Sequence, residues 1–151
     1  MEITVKRLGP ADLKTARRVF SLMAEVFEEE REPLSDGYLE ALLRRTSFWG
    51  LVAFSGAEVL GGLTAHVIPM TRSESSELLL YDIAVAIEHQ RRGVGRHLLS
   101  ELLTLTSQEG TSEAFVLVDV EDTAALDFYR RSGGKPASVK LFSFTAESLP
   151  S

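Results

Sequence analysis

Seven consecutive residues, Gln90-Arg91-Arg92-Gly93-Val94-Gly95-Arg96, put three guanidinium groups and two glycines between an apolar run and a helical pattern. Glycine lets backbone approach a ligand closely and adopt left-handed angles. A helix that starts there offers its unpaired first-turn N–H groups and positive dipole end. The chemistry this suits is binding of an anion such as a pyrophosphate. Two glycines at a strand-to-helix turn are also ordinary turn chemistry, so the pair alone does not decide. Leu98 stands where a dinucleotide fingerprint has its third glycine, and no Gly-Lys-Ser/Thr follows, which excludes a Rossmann turn and a P-loop. Proton acceptors are available in Asp82, Asp119, Glu121 and Asp122, and in the acidic run Glu28-Glu29-Glu30-Arg31-Glu32. Each of these carboxylates is equally at home as a solvated charge, and Asp122 as a helix cap. The phenol of Tyr129, with a reference pKa of about 10, keeps its proton at neutral pH and can donate it. His66, His89 and His97 do not stand at metal-ligand spacing with nearby carboxylates, and no metal is expected. His66 could face an acceptor from its strand. No Gly-x-Ser-x-Gly elbow is present, which disfavours a serine hydrolase.

The pattern Gln/Arg-x-x-Gly-x-Gly/Ala, met by Gln90, Gly93 and Gly95, resembles the acetyl-CoA signature of the GCN5-related N-acetyltransferase (GNAT) superfamily. The likeness extends to the strand Tyr81-Asp82-Ile83-Ala84-Val85 before the signature and to a later helix carrying Phe128-Tyr129. The runs Leu80 to Val85, Pro33 to Leu43 and Ala65 to Pro69 resemble aminoglycoside 3-N-acetyltransferases, so that the likeness covers nearly the whole chain. It implies an α/β (α+β) fold, with a mixed, mostly antiparallel central sheet flanked by helices and splayed at the acetyl-CoA strand. It also implies acetyl-CoA as cofactor, coenzyme A as product, and direct transfer in a ternary complex to the 3-amino group of an aminoglycoside. Carried over residue by residue, the cofactor would be held by Ile83, Ala84, Val85, Arg91, Arg92, Gly93, Val94, Gly95 and Arg96, with Asp122, Ala125 and Phe128 from the later helix. Tyr129 would protonate the leaving thiolate. Asp82, Asp119 or Glu121 would take the proton of the amine, with Tyr81 shaping or relaying. Glu28, Glu29, Asp119 and Glu121 would bind the cationic acceptor. Rival readings are a GNAT acting on a polyamine, peptide amine or other small amine, and a CoA-binding regulatory module without turnover. A homodimer is left open.

Composition sets the frame for these residues. The chain has 151 residues, 44% of them hydrophobic, which is enough for one domain, 1–151, with a core that needs no staples. A net charge of −6 argues against nucleic acid as the main partner, because phosphate-backbone binding relies on a basic surface. The absence of cysteine excludes disulfides, Cys-based metal sites and an acyl-thiol intermediate on the enzyme. No stretch approaches the roughly 20 apolar residues of a membrane span, and Met1 to Arg7 has no leader pattern, so the expectation is a soluble cytoplasmic protein without membrane partners.

Periodicity then places the residues on elements. A first strand is expected over Ile3 to Leu8, and a helix to about residue 27 with Ala16, Val19, Phe20, Met23, Val26 and Phe27 inward. Pro33 stops that helix from continuing, and Ser35 caps a second one. Strands follow over Phe48 to Phe54 and Val59 to Ile68, where Gly61-Gly62 signals a bulge or a close backbone approach. Met70 to Ser76 is expected to be mobile, and Leu78 to Val85 to be the central strand. The helix after the signature buries Leu98, Leu99, Leu102, Leu103 and Leu105 and stops at Gly110. A strand over Ala114 to Val120, a helix capped by Asp122 or Thr123 and closed by Gly133-Gly134, and a last extended segment over Ala137 to Phe144 give the order β-α-α-β-β-β-α-β-α-β.

Overall fold

The computed structural model describes residues 1–148 and 150, and its contacts sort the chain into two units, 1–117 and 118–151. The first unit is built on a five-stranded sheet in the order β1-β2-β3-β4-β5. Its strands are β1 (Thr4–Arg7), β2 (Phe48–Ser55), β3 (Glu58–Pro69), β4 (Ser76–Val85) and β5 (Thr111–Val116). The first four pair antiparallel, and β4 pairs with β5 in parallel.

Helix α1 (Leu13–Val26) buries Ala16, Val19 and Met23, the three-and-four spacing read from the sequence. Its start is fixed by Asp12, whose carboxylate accepts from Lys6 Nζ at 2.7 Å and from the Gly9 amide at 2.7 Å. Those two contacts hold the Asp12 carboxyl below its ordinary value, the Lys6 bond contributing most. Helix α2 (Asp36–Arg44) is capped as expected, the Ser35 side chain accepting from the Tyr38 amide, and it buries Leu39 and Leu43.

Residues 60–63 of β3 are all buried, which requires cover on both faces of the sheet. On the α1 face the cover is so close that a Cβ at Gly62 would collide with Val19 Cγ2 and stand 3.0 Å from Met23 Sδ. A Cβ at Gly61 would meet the Ala84 carbonyl oxygen at 2.5 Å. The two glycines therefore mark a close approach, and the register break between Ala53 and Phe54 lies beside them. Helix α3 (Val94–Gln108) buries Val94, Leu98, Leu102 and Thr106, a strict i, i+4 stripe. Leu103, expected inside, is 44% exposed because it falls off that stripe, and the Thr106 hydroxyl in the buried row donates to the Leu103 carbonyl.

Two expectations are corrected. Strand β5 occupies Thr111–Val116 rather than Ala114 to Val120, beginning right after Gly110, whose φ of +72° closes α3. The Met70–Ser76 connection carries bonds of its own: the Met70 amide donates to the Ser75 carbonyl at 2.9 Å, and the Ser73 and Ser75 hydroxyls bond each other at 2.7 Å. In the second unit, helix α4 (Thr123–Arg131) forms and is closed by Gly133 with φ of +95°. The last strand over Ala137 to Phe144 does not form. An apolar run becomes a strand only against a partner that accepts its ladder, and this segment has no strand partner among the described residues, leaving Val139, Leu141, Phe142 and Phe144 exposed. No described helix is long and apolar enough to cross a membrane.

Candidate functional site

The glycine signature folds into an open loop between β4 and α3. After Val85, the Ala86 amide donates to the Leu60 carbonyl at 2.8 Å, and Ile87–His89 make one 3-10 turn. The Gln90 side-chain amide donates back to the Val85 carbonyl at 3.0 Å, so the signature's first residue ties the loop to the end of the strand. Gly93 then caps α3 with φ of +86°, the left-handed region that glycine enters without penalty. Arg91 also takes a positive φ, 64°, and a non-glycine residue stays there only when its surroundings hold it. The first helical bond of α3 runs from the His97 amide to the Gly93 carbonyl at 3.0 Å, and His97 Nδ1 lies 2.8 Å from the same oxygen. The amides of Val94, Gly95 and Arg96 precede that bond and have no carbonyl to receive them within the helix. The arginines at 91, 92 and 96 are exposed and are in none of the ion pairs among the described residues. An anion at this helix start would meet aligned N–H groups, the positive dipole end and exposed cations together.

The sheet opens next to this loop. Pairing of β4 with β5 begins at Ser76–Thr111 and ends at Leu80–Val116, yet β4 continues five residues further to Val85. Ile83, Ala84 and Val85 are paired on their other side with Leu63, Gly62 and Gly61. Backbone groups of 81–85 directed away from β3 thus face a gap in the ladder, where an extended ligand can be hydrogen-bonded as an added strand.

A second irregularity decides which way Asp82 points. Thr64 pairs with Asp82 and Ala65 pairs with Leu80, so Tyr81 is an extra residue on β4. A bulge of one residue reverses the alternation of faces beyond it. Leu80 shares the face of buried Ala65, while Asp82 shares that of Thr64, Gly62 and α1. The ring of Tyr81 meets His66 edge-on at 5.5 Å, and His66 in turn lies 5.4 Å from Phe48. Burial raises the Asp82 carboxyl above its ordinary value; the charge of Glu29 adds to this and His66 opposes it. A carboxylate with raised affinity for protons is better suited to accept one from an ammonium.

Glu29 is held in place by the end of α1. Glu28 adopts φ of +55°, and the Glu29 amide donates to the Ala24 carbonyl at 3.0 Å, a six-to-one helix closure usually built on glycine. The acidic connector is therefore fixed at its first two residues, and its charge acts on Asp82. In the first unit the structure brings Tyr81, Asp82, His66 and Glu29 into one neighbourhood on the α1 face.

The remaining expected residues belong to the second unit. Asp119 and Glu121 sit in a turn rather than at a strand end, Asp119 Oδ1 accepting from the Glu121 amide at 2.9 Å. The Asp122 carboxylate accepts from the Ala125 amide at 3.1 Å as the cap of α4. Phe128 and Tyr129 are half-buried, their rings edge-on at 5.2 Å. The described residues contain no group of three or more His, Asp or Glu disposed to hold a metal ion.

Two features were not foreseen. The bulge at Tyr81 leaves no mark in the residue types. His89, with no role read for it, is buried, and its Nε2 lies 3.0 Å from Glu58 Oε2 at the start of β3.

A family model described as the acetyltransferase (GNAT) family matches residues 16–134. Among solved structures, the aminoglycoside acetyltransferase meta-AAC0020 from an uncultured soil metagenomic sample, in complex with sisomicin, is 30% identical, with a TM-score of 0.91 and 95% of each chain covered. The aminoglycoside acetyltransferase HMB0005, also from an uncultured soil metagenomic sample, is 28% identical, with a TM-score of 0.92, covering 97% of this chain and 99% of that one. Among curated proteins, N-acetyltransferase family 8 member 3 of Rattus norvegicus is 26% identical over 137 residues, which is 91% of this chain and 55% of the relative. The chain spans about half the length of the curated relatives it matches.

Proposed function

Since the chain belongs to the acetyltransferase (GNAT) family, we propose that it transfers the acetyl group of acetyl-CoA to an amine, and that the amine is the 3-amino group of an aminoglycoside. The observation that carries the first part is the end of β4–β5 pairing at Leu80–Val116 beside the Gly93-capped start of α3. A ligand with an amide-bearing arm and a pyrophosphate fits that juxtaposition: the arm along 83–85, the pyrophosphate over the amides of 94–96 among Arg91, Arg92 and Arg96. Acetyl-CoA supplies an acetyl group activated as a thioester. The acceptor assignment is supported by the likeness to the two aminoglycoside acetyltransferases and by the acidic, partly buried surroundings of Asp82. We take both units as one N-acetyltransferase domain, a reading supported by the family match running through residues 16–134.

The roles follow from proton bookkeeping. The amine attacks as a neutral nucleophile, so its ammonium proton must leave; Asp82 takes it directly or through water, with Tyr81 as the shaping or relaying neighbour and Glu121 as the other carboxylate of choice. Backbone N–H groups at the opened edge of β4 stabilise the charge that develops on the carbonyl oxygen. Tyr129 gives its phenolic proton to the departing thiolate and recovers one from the second proton that the nitrogen sheds as the amide forms, so one C–N bond forms, one C–S bond breaks, and the net proton released is the one the carboxylate took. Glu28, Glu29 and Asp119 provide negative charge for a polycationic acceptor.

The deciding experiment incubates the protein and acetyl-CoA with a panel of aminoglycosides, polyamines and peptides, follows free thiol and locates the acetyl group by mass spectrometry and NMR. Transfer to the 3-amino position of an aminoglycoside is the expected result. Turnover with a polyamine or peptide alone overturns the acceptor, and acetyl-CoA binding without thiol release from any amine overturns catalysis.

A further inference from the structure

The loop that receives the pyrophosphate in the proposed function is not self-supporting. Arg91 sits at φ of +64° without being glycine, and the loop's own backbone bonds are few between Gln90 and the first bond of α3. Strain of this kind persists where neighbouring structure over-determines the backbone. Two side-chain contacts on the strand side of the loop reach outside it. One is the Gln90 amide on the Val85 carbonyl. The other is His89, 8% exposed, whose Nε2 meets Glu58 Oε2 at 3.0 Å across 31 residues of sequence. Glu58 opens β3 directly after the tight turn from β2, so it belongs to a rigid part of the sheet. Its side chain is 62% exposed and that of His89 10%, so the carboxylate reaches in from the rim to an imidazole that is otherwise enclosed. The second ring nitrogen, Nδ1, is buried without a partner among the described residues. In the Nε2–H tautomer the imidazole donates to Glu58, and among the described residues that bond is the one polar tie fixing the ring.

We propose that the Glu58–His89 contact is the anchor that holds residues 90–95 in their anion-receiving conformation, which makes Glu58 and His89 positioning residues for acetyl-CoA although neither touches it. The inference rests on the acetyl-CoA reading above. Removing Glu58 leaves a buried N–H without an acceptor, which frees the ring to move and lets Arg91 relax from its left-handed angle. The loop amides then lose their common direction, and binding of the pyrophosphate weakens while the chemistry on the acetyl group is untouched.

Three variants test it: Glu58→Ala removes the acceptor, Glu58→Gln keeps a neutral one, and His89→Phe keeps the buried volume and drops the contact. Glu58→Ala and His89→Phe are expected to raise the KM and Kd for acetyl-CoA about tenfold, with kcat at saturating acetyl-CoA and the KM for the amine unchanged, a tenfold change being about 1.4 kcal/mol. Glu58→Gln is expected to recover most of the affinity. In the ligand-free protein, hydrogen exchange of the amides from Gln90 to Arg96 is expected to rise in Glu58→Ala and His89→Phe, with the interior of α3 unchanged. Unaltered acetyl-CoA affinity in Glu58→Ala, or a uniform loss of kcat and stability in all three variants, overturns the anchor. If the unmodified protein does not bind acetyl-CoA, the functional reading falls, and the exchange measurement alone still decides whether the contact orders the loop.

Discussion

Replacing Gly93 separates two reasons for a glycine at the start of α3. Its φ of +86° and ψ of 7° lie in the left-handed region, where an L side chain costs roughly 1–2 kcal/mol and asparagine less than alanine. A Cβ built there meets nothing nearer than His97 Nδ1 at 3.8 Å, an ordinary contact, so no collision with the protein adds to the strain. For a chain of this size each kcal/mol lowers Tm by roughly 2–4 °C, which puts Gly93→Ala about 2–8 °C below the unmodified protein and Gly93→Asn between the two. In the proposed function a side chain at this position competes with the pyrophosphate for the start of α3. Losing well-formed hydrogen bonds to a charged group costs about 1.5–3 kcal/mol, so acetyl-CoA affinity should fall roughly 10- to 150-fold, and further for the bulkier asparagine than for alanine. Stability thus ranks Gly, Asn, Ala, whereas affinity ranks Gly, Ala, Asn. Thermal unfolding and titration calorimetry on the three proteins measure both orders. An affinity that follows the stability order, or does not change, refutes the cradle and leaves Gly93 as turn chemistry.

Tyr129→Phe keeps the ring and removes the donor, so kcat should fall about 10²–10⁴-fold with little change in acetyl-CoA affinity; an unchanged kcat where chemistry is rate-limiting makes Tyr129 a packing residue. Asp82→Asn should lower kcat and abolish the acidic limb of the kcat/KM profile, which in the unmodified protein should lie above the ordinary carboxylate range because burial raises the Asp82 carboxyl. The same shift has a sign for stability: between the ordinary value of 3.8 and the raised one, the folded protein holds the proton that the unfolded chain has released, so stability falls as pH rises through that window. Asp82→Asn should accordingly be more stable than the unmodified protein at neutral pH and equal to it below pH 3.8, as read by urea unfolding at several pH values. Gly62→Ala should cost about 1–3 kcal/mol by overpacking Val19 and Met23, whereas Gly37→Ala, with open space at its Cβ, should not; similar losses in both would show that the α1 contact on β3 is looser than described.

Much of this protein is local and therefore legible in its residues. The apolar spacing of α1 and α2, the Ser35 and Asp122 caps, the glycine stops at 110 and 133 and the turn at Gly93 depend on near neighbours in sequence, and they form as read except at Phe27, which ends α1 and is exposed rather than inward. Residue types also carried the open turn of Gln90 to Arg96 that starts α3 at Gly93, because a helix start needs only the right turn to present its first amides. What the residue types could not carry is pairing. Whether Tyr81 is bulged depends on β3 lying opposite, and that single extra residue decides that Asp82 faces α1 and Glu29 rather than the opposite layer. Whether 81–85 has an open edge depends on where β5 parts from β4, and β5 was displaced from its expected position. His89 acquired a role only when β3 brought Glu58 to it. A sequence states what each segment tends to be, since that is set by neighbours three or four residues away; the face a side chain presents and the charge it meets are set by strands tens of residues distant, which only the folded chain brings together.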